Sequence, residues 1–515
     1  MPETRLGPAR VASIVGLAAL TLGVGLGSSG RLTYHEAFVA QAAREMVAGG
    51  DFLVPTIDGR PWLEKPPLAF WLAALSGRVA GEVSEFAARV PSAVAGTLLA
   101  LGVATFAARR FGPTVGGLAG LVQVTTAWTI LRGRLAEADI VLACLVTWTL
   151  VAFDRLRTEG PGPVAPPAPA WRWAFFGALG ASALVKGLGF GAALVLSSAA
   201  VVLAWDRDRR AIRGMIRDGK GWALAAVLAL TWPALAALRH PEAVSLWTLH
   251  VTDRLASRPE HFIGGPWWQY GPAVLLQGLP WTPMALVGAR GSLRRARADR
   301  GGPDRLLWAW AVVPVLVLST ATVKNAHYAI HALPPWSIWA ALGLVDLADR
   351  LRARRGWSPA RVRRGGVILF AGLGLASGLG YRLLGPRLDA RGAEWASCAA
   401  IGRALDPAVP LVFLYEDWDR KPYPTPFGPV PHDWAVRLYY LRRPASWRQG
   451  VADLAARPPG PDAAPYALLG RDRDLEALRR LGRVEPLMRG PALRFDRTFT
   501  LFRITPGPTN IAKIY

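Results

Sequence analysis

Residues 33–75 read TYHEAFVAQAAREMVAGGDFLVPTIDGRPWLEKPPLAFWLAAL, from Thr33 to Leu75. The stretch follows one apolar run, 11–28, and precedes another, 88–108, so it is a loop of about sixty residues joining two candidate membrane spans. A simple turn between spans needs far fewer residues, so this loop must carry structure and work of its own. Its pieces are a helical, amphipathic Ala37–Ala48, a turn at Gly49-Gly50-Asp51, a Glu64-Lys65-Pro66-Pro67 string and an aromatic apolar Leu68–Leu75. Such segments fit helices lying in the membrane interface, with Glu45 and Asp51 as solvated or capping residues.

Composition supports a membrane setting. The 515 residues include 60 Lys plus Arg against 36 Asp plus Glu, a net charge of +24, with 52% apolar and only 19% charged residues. That apolar share excludes a disordered chain, and it dilutes the positive charge too far for a soluble nucleic-acid binder. Two cysteines, Cys144 and Cys398, cannot build a disulfide framework.

Scanning for about twenty apolar residues per crossing yields about eleven spans. They lie near 11–28, 88–108, 113–131, 138–153, 171–186, 188–205, 220–238, 270–289, 306–322, 327–347 and 366–385, the fifth and sixth separated only by Lys186-Gly187. The first is read as an uncleaved span and not a signal peptide. Arginines collect at 207–220, 290–305 and 350–364, which the positive-inside rule assigns to the cytoplasm. The long first loop, 132–137, 239–269 and 323–326 then face outside, as does everything after residue 385. The expected architecture is an all-α polytopic membrane part, 1–385, followed by a small α/β extracytoplasmic domain, 386–515. In the latter, Val409–Tyr415, Tyr466–Leu469 and Leu493–Ile504 read as strands and Asp472–Arg480 as a helix. Residues 160–170, GPGPVAPPAPA, read as an extended linker.

Polar residues near membrane depth mark function. The outer loops supply His35, Glu36, Glu64, Lys65, Arg132, Glu137, Asp139, Arg254, His261, Lys324, His327 and Tyr328, with Trp267 and Trp268 as interface anchors. Cations suit a phosphate, aromatic rings suit a lipid or sugar, and carboxylates or histidines suit proton transfer.

The 33–75 stretch with EFAARVPSAVAGTL (85–98), RLAEADIVL (134–142), the 254–282 segment and VKNAHYAIHALPPW (323–336) resembles the polyprenyl-phosphate-sugar glycosyltransferases. These membrane enzymes include the lipid A aminoarabinose transferase and the protein O-mannosyltransferases. The resemblance covers roughly residues 10–345 and implies the GT-C fold. It implies transfer of a sugar from a polyprenyl-phosphate carrier, without a nucleotide sugar, to a lipid A, protein or other envelope acceptor outside the bacterial inner membrane, by inverting displacement. Its catalytic loop usually carries Asp-Glu, where this chain has His35-Glu36, so His35, Glu36 or Asp139 is the implied base. Lys65 matches the lysine on the carrier phosphate, with Arg254, Lys324 and Tyr328 completing the cradle. Glu64 and His261 would orient Lys65 or hold a divalent cation, although none is required. The alternatives are a flippase for a lipid-linked sugar and a catalytically silent family member. The mid-span stretches hold few charges, which argues against transport.

Overall fold

The computed structural model describes residues 6–158, 169–255, 265–389, 392–415, 431, 433–459, 464–489 and 499–506. Helix α1 (Pro8–Ala18) runs on into a π-helical turn, Ala19–Gly23. The first loop holds α2 (Tyr34–Gly49), short strands β1 (Thr56–Ile57) and β2 (Arg60–Pro61), and α3 (Leu68–Ala80). Next come α4 (Glu85–Phe111), α5 (Pro113–Thr125), α6 (Ala127–Gly133), α7 (Ala138–Thr158) and α8 (Pro169–Lys186). They lead to α9 (Phe190–Asp206), α10 (Arg209–Ile216), α11 (Gly219–Arg239), α12 (Glu242–Leu255), α13 (Tyr270–Gln277), α14 (Thr282–Ala298) and α15 (Pro303–Thr320). A 3-10 segment, Ala326–Ala332, leads into α16 (Leu333–Arg355) and then α17 (Pro359–Leu383).

Helical residues lie over each stretch expected to cross a membrane. Among the described residues, α4, α11 and α17 are each long and apolar enough to cross alone. The bent pairs α5 with α6 (61°) and α14 with α15 (118°) pass the same test together, raising the number to five. The 270–289 stretch is not one helix: Gly278–Trp281 breaks it, and the second half of α14 carries Arg290, Arg294, Arg295 and Arg297. Helices α14 and α16 approach through Gly288 and Gly343, where an added Cβ would collide with the Trp339 and Met284 carbonyls. Bare glycines allow backbones to come this close without polar partners.

The two ends of the bundle differ in chemistry. At one end Arg109 pairs with Asp154 (3.0 Å), Arg157 with Asp206 (2.5 Å), Arg305 with Asp206 (2.8 Å) and Arg295 with Asp304 (2.9 Å). These close the end shared by the C-termini of α4, α7, α9 and α14. The other end carries the first loop, the start of α7, the end of α8 and the 3-10 segment.

Beyond α18 (Gly385–Leu388) come α19 (Gly392–Ala404), β3 (Leu411–Leu414), α20 (Trp434–Leu441), β4 (Ser446–Arg448) and α21 (Gly450–Ala456). β5 (Tyr466–Arg471), α22 (Leu475–Arg479), β6 (Gly482–Arg489) and β7 (Phe499–Pro506) complete them. The sheet order is β4-β3-β5-β7-β6, with β3 parallel to β4 and β5 and the remaining pairs antiparallel. This layer rests on the first loop. Its α19, α20 and inner sheet residues share one apolar core with α2 and α3. Leu32 N–H donates to Tyr440 Oη (2.8 Å), Tyr439 Oη donates to Val83 O (2.9 Å), and Arg44 donates to Tyr439 O (2.6 Å).

That placement corrects the expectation for α2. It is not an amphipathic helix with one open face: residues 36–43 are buried on all sides between α3, α4 and α20. The alanines that made it look amphipathic are the small side chains that let α20 pack closely. α3 keeps an exposed apolar face, with Leu75 and Val79 open. The 160–170 linker lies almost wholly outside the described residues, and residues 493–498 of the last expected strand do as well.

Candidate functional site

Local sequence sets the first loop. Thr33 and Glu36 form a reciprocal capping box that starts α2, and Gly50 ends it in a left-handed conformation (φ 74°). Glu45 is neither solvated nor a cap. It accepts from Thr56 Oγ1 (2.7 Å), Asp58 N (2.8 Å) and Gly59 N (3.1 Å), holding the β1–β2 turn. Asp51 ties the loop to α11 through Arg239 (2.8 Å). Trp232 Nε1 donates to Leu53 O (2.9 Å) and Trp247 Nε1 to Leu63 O (2.7 Å), so α11 and α12 clamp both sides of the segment that leads into Glu64-Lys65.

Glu36 is the clearest departure from the sequence reading. It is fully buried and occupied on both oxygens. Oε1 accepts from Arg89 Nε (2.7 Å) and Ala136 N (3.1 Å); Oε2 accepts from Thr33 N (2.9 Å) and Arg89 Nη2 (3.3 Å). A carboxylate so enclosed presents no oxygen to a substrate, so Glu36 is a positioning residue. Through Ala136 it fixes the loop between α6 and α7 against the first loop. Arg134 pins the same loop from the opposite side, donating to Thr21 O (2.9 Å) and Val24 O (2.7 Å).

The loop so held delivers Glu137 and Asp139. Asp139 Oδ1 is paired with Lys186, and Oδ2 with Arg132 (3.0 Å) and His327 Nε2 (3.7 Å). Lys186 also stands over the Tyr328 ring (3.9 Å to its centroid) and the Phe190 ring (5.4 Å). Arg132 is shared between Asp139 and Glu137. His35 stacks near Tyr34 (3.9 Å) and lies within electrostatic reach of His327. Glu137, outside the spanning helices, is raised to about 7, chiefly by burial, with Asp139 and Glu36 adding to the rise and Arg132 and Lys65 opposing it.

The structure therefore brings His35, Lys65, Asp139 and Tyr328, from four separate stretches, to one rim. Lys65 is exposed and half-buried Glu64 precedes it. Lys324 belongs to the same 323–328 loop, but its ammonium donates to Ala321 O (2.5 Å). Arg254 falls in the last turn of α12, and His261 lies outside the described residues. Among the described residues no cluster of three His, Cys, Asp or Glu side chains could hold a metal ion. Trp267 and Trp268 are exposed. In the sequence Lys186 reads only as a separator of two apolar runs. The signal was a lysine between hydrophobic stretches, which needs a partner at that depth.

Residues 64–236 match the family described as Dolichyl-phosphate-mannose-protein mannosyltransferase. An undecaprenyl phosphate-alpha-4-amino-4-deoxy-L-arabinose arabinosyl transferase of Aeromonas salmonicida is 30% identical over 322 residues, 61% of this chain and 56% of the relative. Its counterpart in Edwardsiella ictaluri is 30% identical over 355 residues, 67% of this chain and 60% of the relative. The chain is similar in sequence to the polyprenyl-phosphate-sugar glycosyltransferases. The match spans less than two thirds of the length of either curated glycosyltransferase. In fold, ArnT from Cupriavidus metallidurans bound to undecaprenyl phosphate superposes with a TM-score of 0.74 at 19% identity, covering 97% of this chain and 99% of ArnT. The archaeal oligosaccharyltransferase AglB from Archaeoglobus fulgidus superposes with a TM-score of 0.56 at 14% identity, covering 85% of this chain and 64% of AglB. A mostly helical GT-C architecture is common to all three.

Proposed function

We propose that this chain moves a sugar from a polyprenyl-phosphate carrier to an acceptor at the rim that holds Lys65 and Asp139. The observation that carries the reading is the convergence there of Lys65, Arg132 and Lys186 with Asp139, Glu137 and two histidines. The curated relatives are named for an undecaprenyl-phosphate-linked amino sugar, and the ArnT structure holds undecaprenyl phosphate. That chemistry matches a cationic rim facing a phosphodiester. The rim lies opposite the arginine-rich end, so with about eleven spans the site and the C-terminal layer face the outer side of a bacterial inner membrane.

In this reading the acceptor, a lipid or protein group, attacks the anomeric carbon directly and inverts it. Lys65, assisted by Arg254 and Lys324, stabilises the departing polyprenyl phosphate, and a cation placed where charge develops lowers the barrier most. Lys186, which stands over the Tyr328 ring, fixes Asp139, whose charge is already matched by Lys186 and Arg132, so Asp139 serves electrostatics and orientation better than proton removal. His35 remains within reach of proton work. Glu64 orients Lys65, and the displacement needs no divalent cation.

The test is transfer by the purified full chain in proteoliposomes, supplied with undecaprenyl-phosphate-linked 4-amino-4-deoxy-L-arabinose and lipid A. Wild type is expected to transfer the sugar and Lys65→Ala to lose at least a hundredfold. A flippase would carry the donor across the bilayer with no acceptor product, and that result would overturn the proposal.

A further inference from the structure

We infer that Glu137 is the proton acceptor of this site and that it shares its cationic surroundings with the carrier phosphate. The inference rests on the proposed transfer reaction and adds a catalytic residue to it.

Geometry singles out Glu137 among the carboxylates near the rim. Glu36 is enclosed by four N–H contacts, Glu45 holds a turn, and Asp139 is matched by Lys186 and Arg132. Among the described residues Glu137 has one ion-pair partner, Arg132, and divides it with Asp139. Its backbone is fixed: its N–H donates to Ser92 Oγ (3.5 Å) and its carbonyl accepts from the same hydroxyl (3.3 Å). Its neighbours in charge are Arg132, Asp139, Glu36 and Lys65. A carboxylate in a dry setting with one shared cation gains most by taking a proton, and its rise to about 7 agrees with that.

The step balances. Glu137 removes the proton from the acceptor's O–H or N–H, and the freed electron pair forms the bond to the anomeric carbon. The carbon–oxygen bond to phosphate breaks, and its pair leaves with the polyprenyl phosphate. The phosphate gains one negative charge as Glu137 loses one, so the charge facing Lys65 and Arg132 stays constant through the reaction. A base placed far from the phosphate would lack that compensation.

Two measurements on the full chain in nanodiscs test the inference. The binding probe is the methyl phosphodiester of undecaprenol, whose single charge is constant between about pH 5 and 9. Wild-type affinity should fall about tenfold from pH 6 to pH 8 as Glu137 ionises and competes for the cations. Glu137→Gln should bind tightly at both values, Glu137→Asp should restore a slope, and His35→Gln should keep the wild-type slope. In the transfer assay Glu137→Gln should lower kcat by about 10²–10⁴-fold without raising the donor KM. A wild-type affinity without pH dependence, or the same slope in Glu137→Gln, overturns the inference. If Lys65→Ala binds the probe as well as wild type at every pH, the phosphate cradle itself fails, a separate outcome.

Discussion

Replacing Arg89 with methionine should unfold the rim that holds Lys65 and Asp139 more readily than any exposed change. Arg89 is buried and holds Glu36 through Nε (2.7 Å) and Nη2 (3.3 Å). It also donates to the carbonyls of Leu26 (3.0 Å), Gly30 (3.1 Å) and Arg31 (3.2 Å). Methionine fills much of the volume but leaves Glu36 as an uncompensated buried charge. Breaking one side of a buried pair costs about 3–5 kcal/mol. The three stranded carbonyls add to that loss, each at roughly 1 kcal/mol where water cannot reach. Glu36→Gln alone should cost less, about 1–2 kcal/mol, because an amide oxygen still accepts from Thr33 or Ala136. The double variant should recover part of the Arg89→Met loss, since no orphan charge remains. Reversible unfolding in mixed micelles, titrated with sodium dodecyl sulfate, measures all three. An Arg89→Met variant within 1 kcal/mol of wild type would refute the reasoning. So would a Glu36→Gln variant that is fully stable yet loses all transfer, because that is the behaviour of a base.

Further expectations follow from individual contacts. Lys186→Met strips Asp139 of its closest partner and should destabilise by about 3–5 kcal/mol in the same titration, with Asp139→Asn/Lys186→Met less affected than Lys186→Met alone. Tyr440→Phe removes the acceptor of the Leu32 N–H and a bond to Glu85 (3.2 Å), so the C-terminal layer should loosen by about 1–3 kcal/mol, read as faster limited proteolysis after residue 385. Asp58 is raised to about 6, chiefly by burial, with the Trp434 indole N–H (3.3 Å) opposing the rise. The folded state then binds the extra proton between about pH 4 and 6, so this group's contribution to stability falls as pH rises through that window. Asp58→Asn should flatten the thermal-stability profile there; an unchanged slope would contradict the assignment.

Much of the site was legible because its parts are local. The Glu64-Lys65-Pro66-Pro67 string, the Arg132–Asp139 run and the 323–328 loop each announce themselves by polar residues beside apolar stretches, where desolvation makes such residues costly. The roles within them were not legible. His35 and Glu36 are adjacent in sequence, yet one faces the rim and the other is walled in by Arg89, fifty-three positions away. Glu137 and Asp139 are two residues apart. Only the arrival of Lys186 from another segment separates a charge-matched carboxylate from one that accepts a proton. The same holds for the tail: β3, β5 and β7 show as apolar runs, whereas the polar β6 and the docking of α20 on α2 depend on neighbours.

Apolar length and the uneven placement of arginine determined that this is a helical membrane protein with one cationic and one mixed-charge end, because transfer of side chains out of water depends on their own chemistry. Which carboxylate is free, which is locked, and which helix covers which loop were decided by the tertiary structure. Burial and ion pairing are properties of the space around a residue, and that space is furnished by parts of the chain hundreds of positions apart.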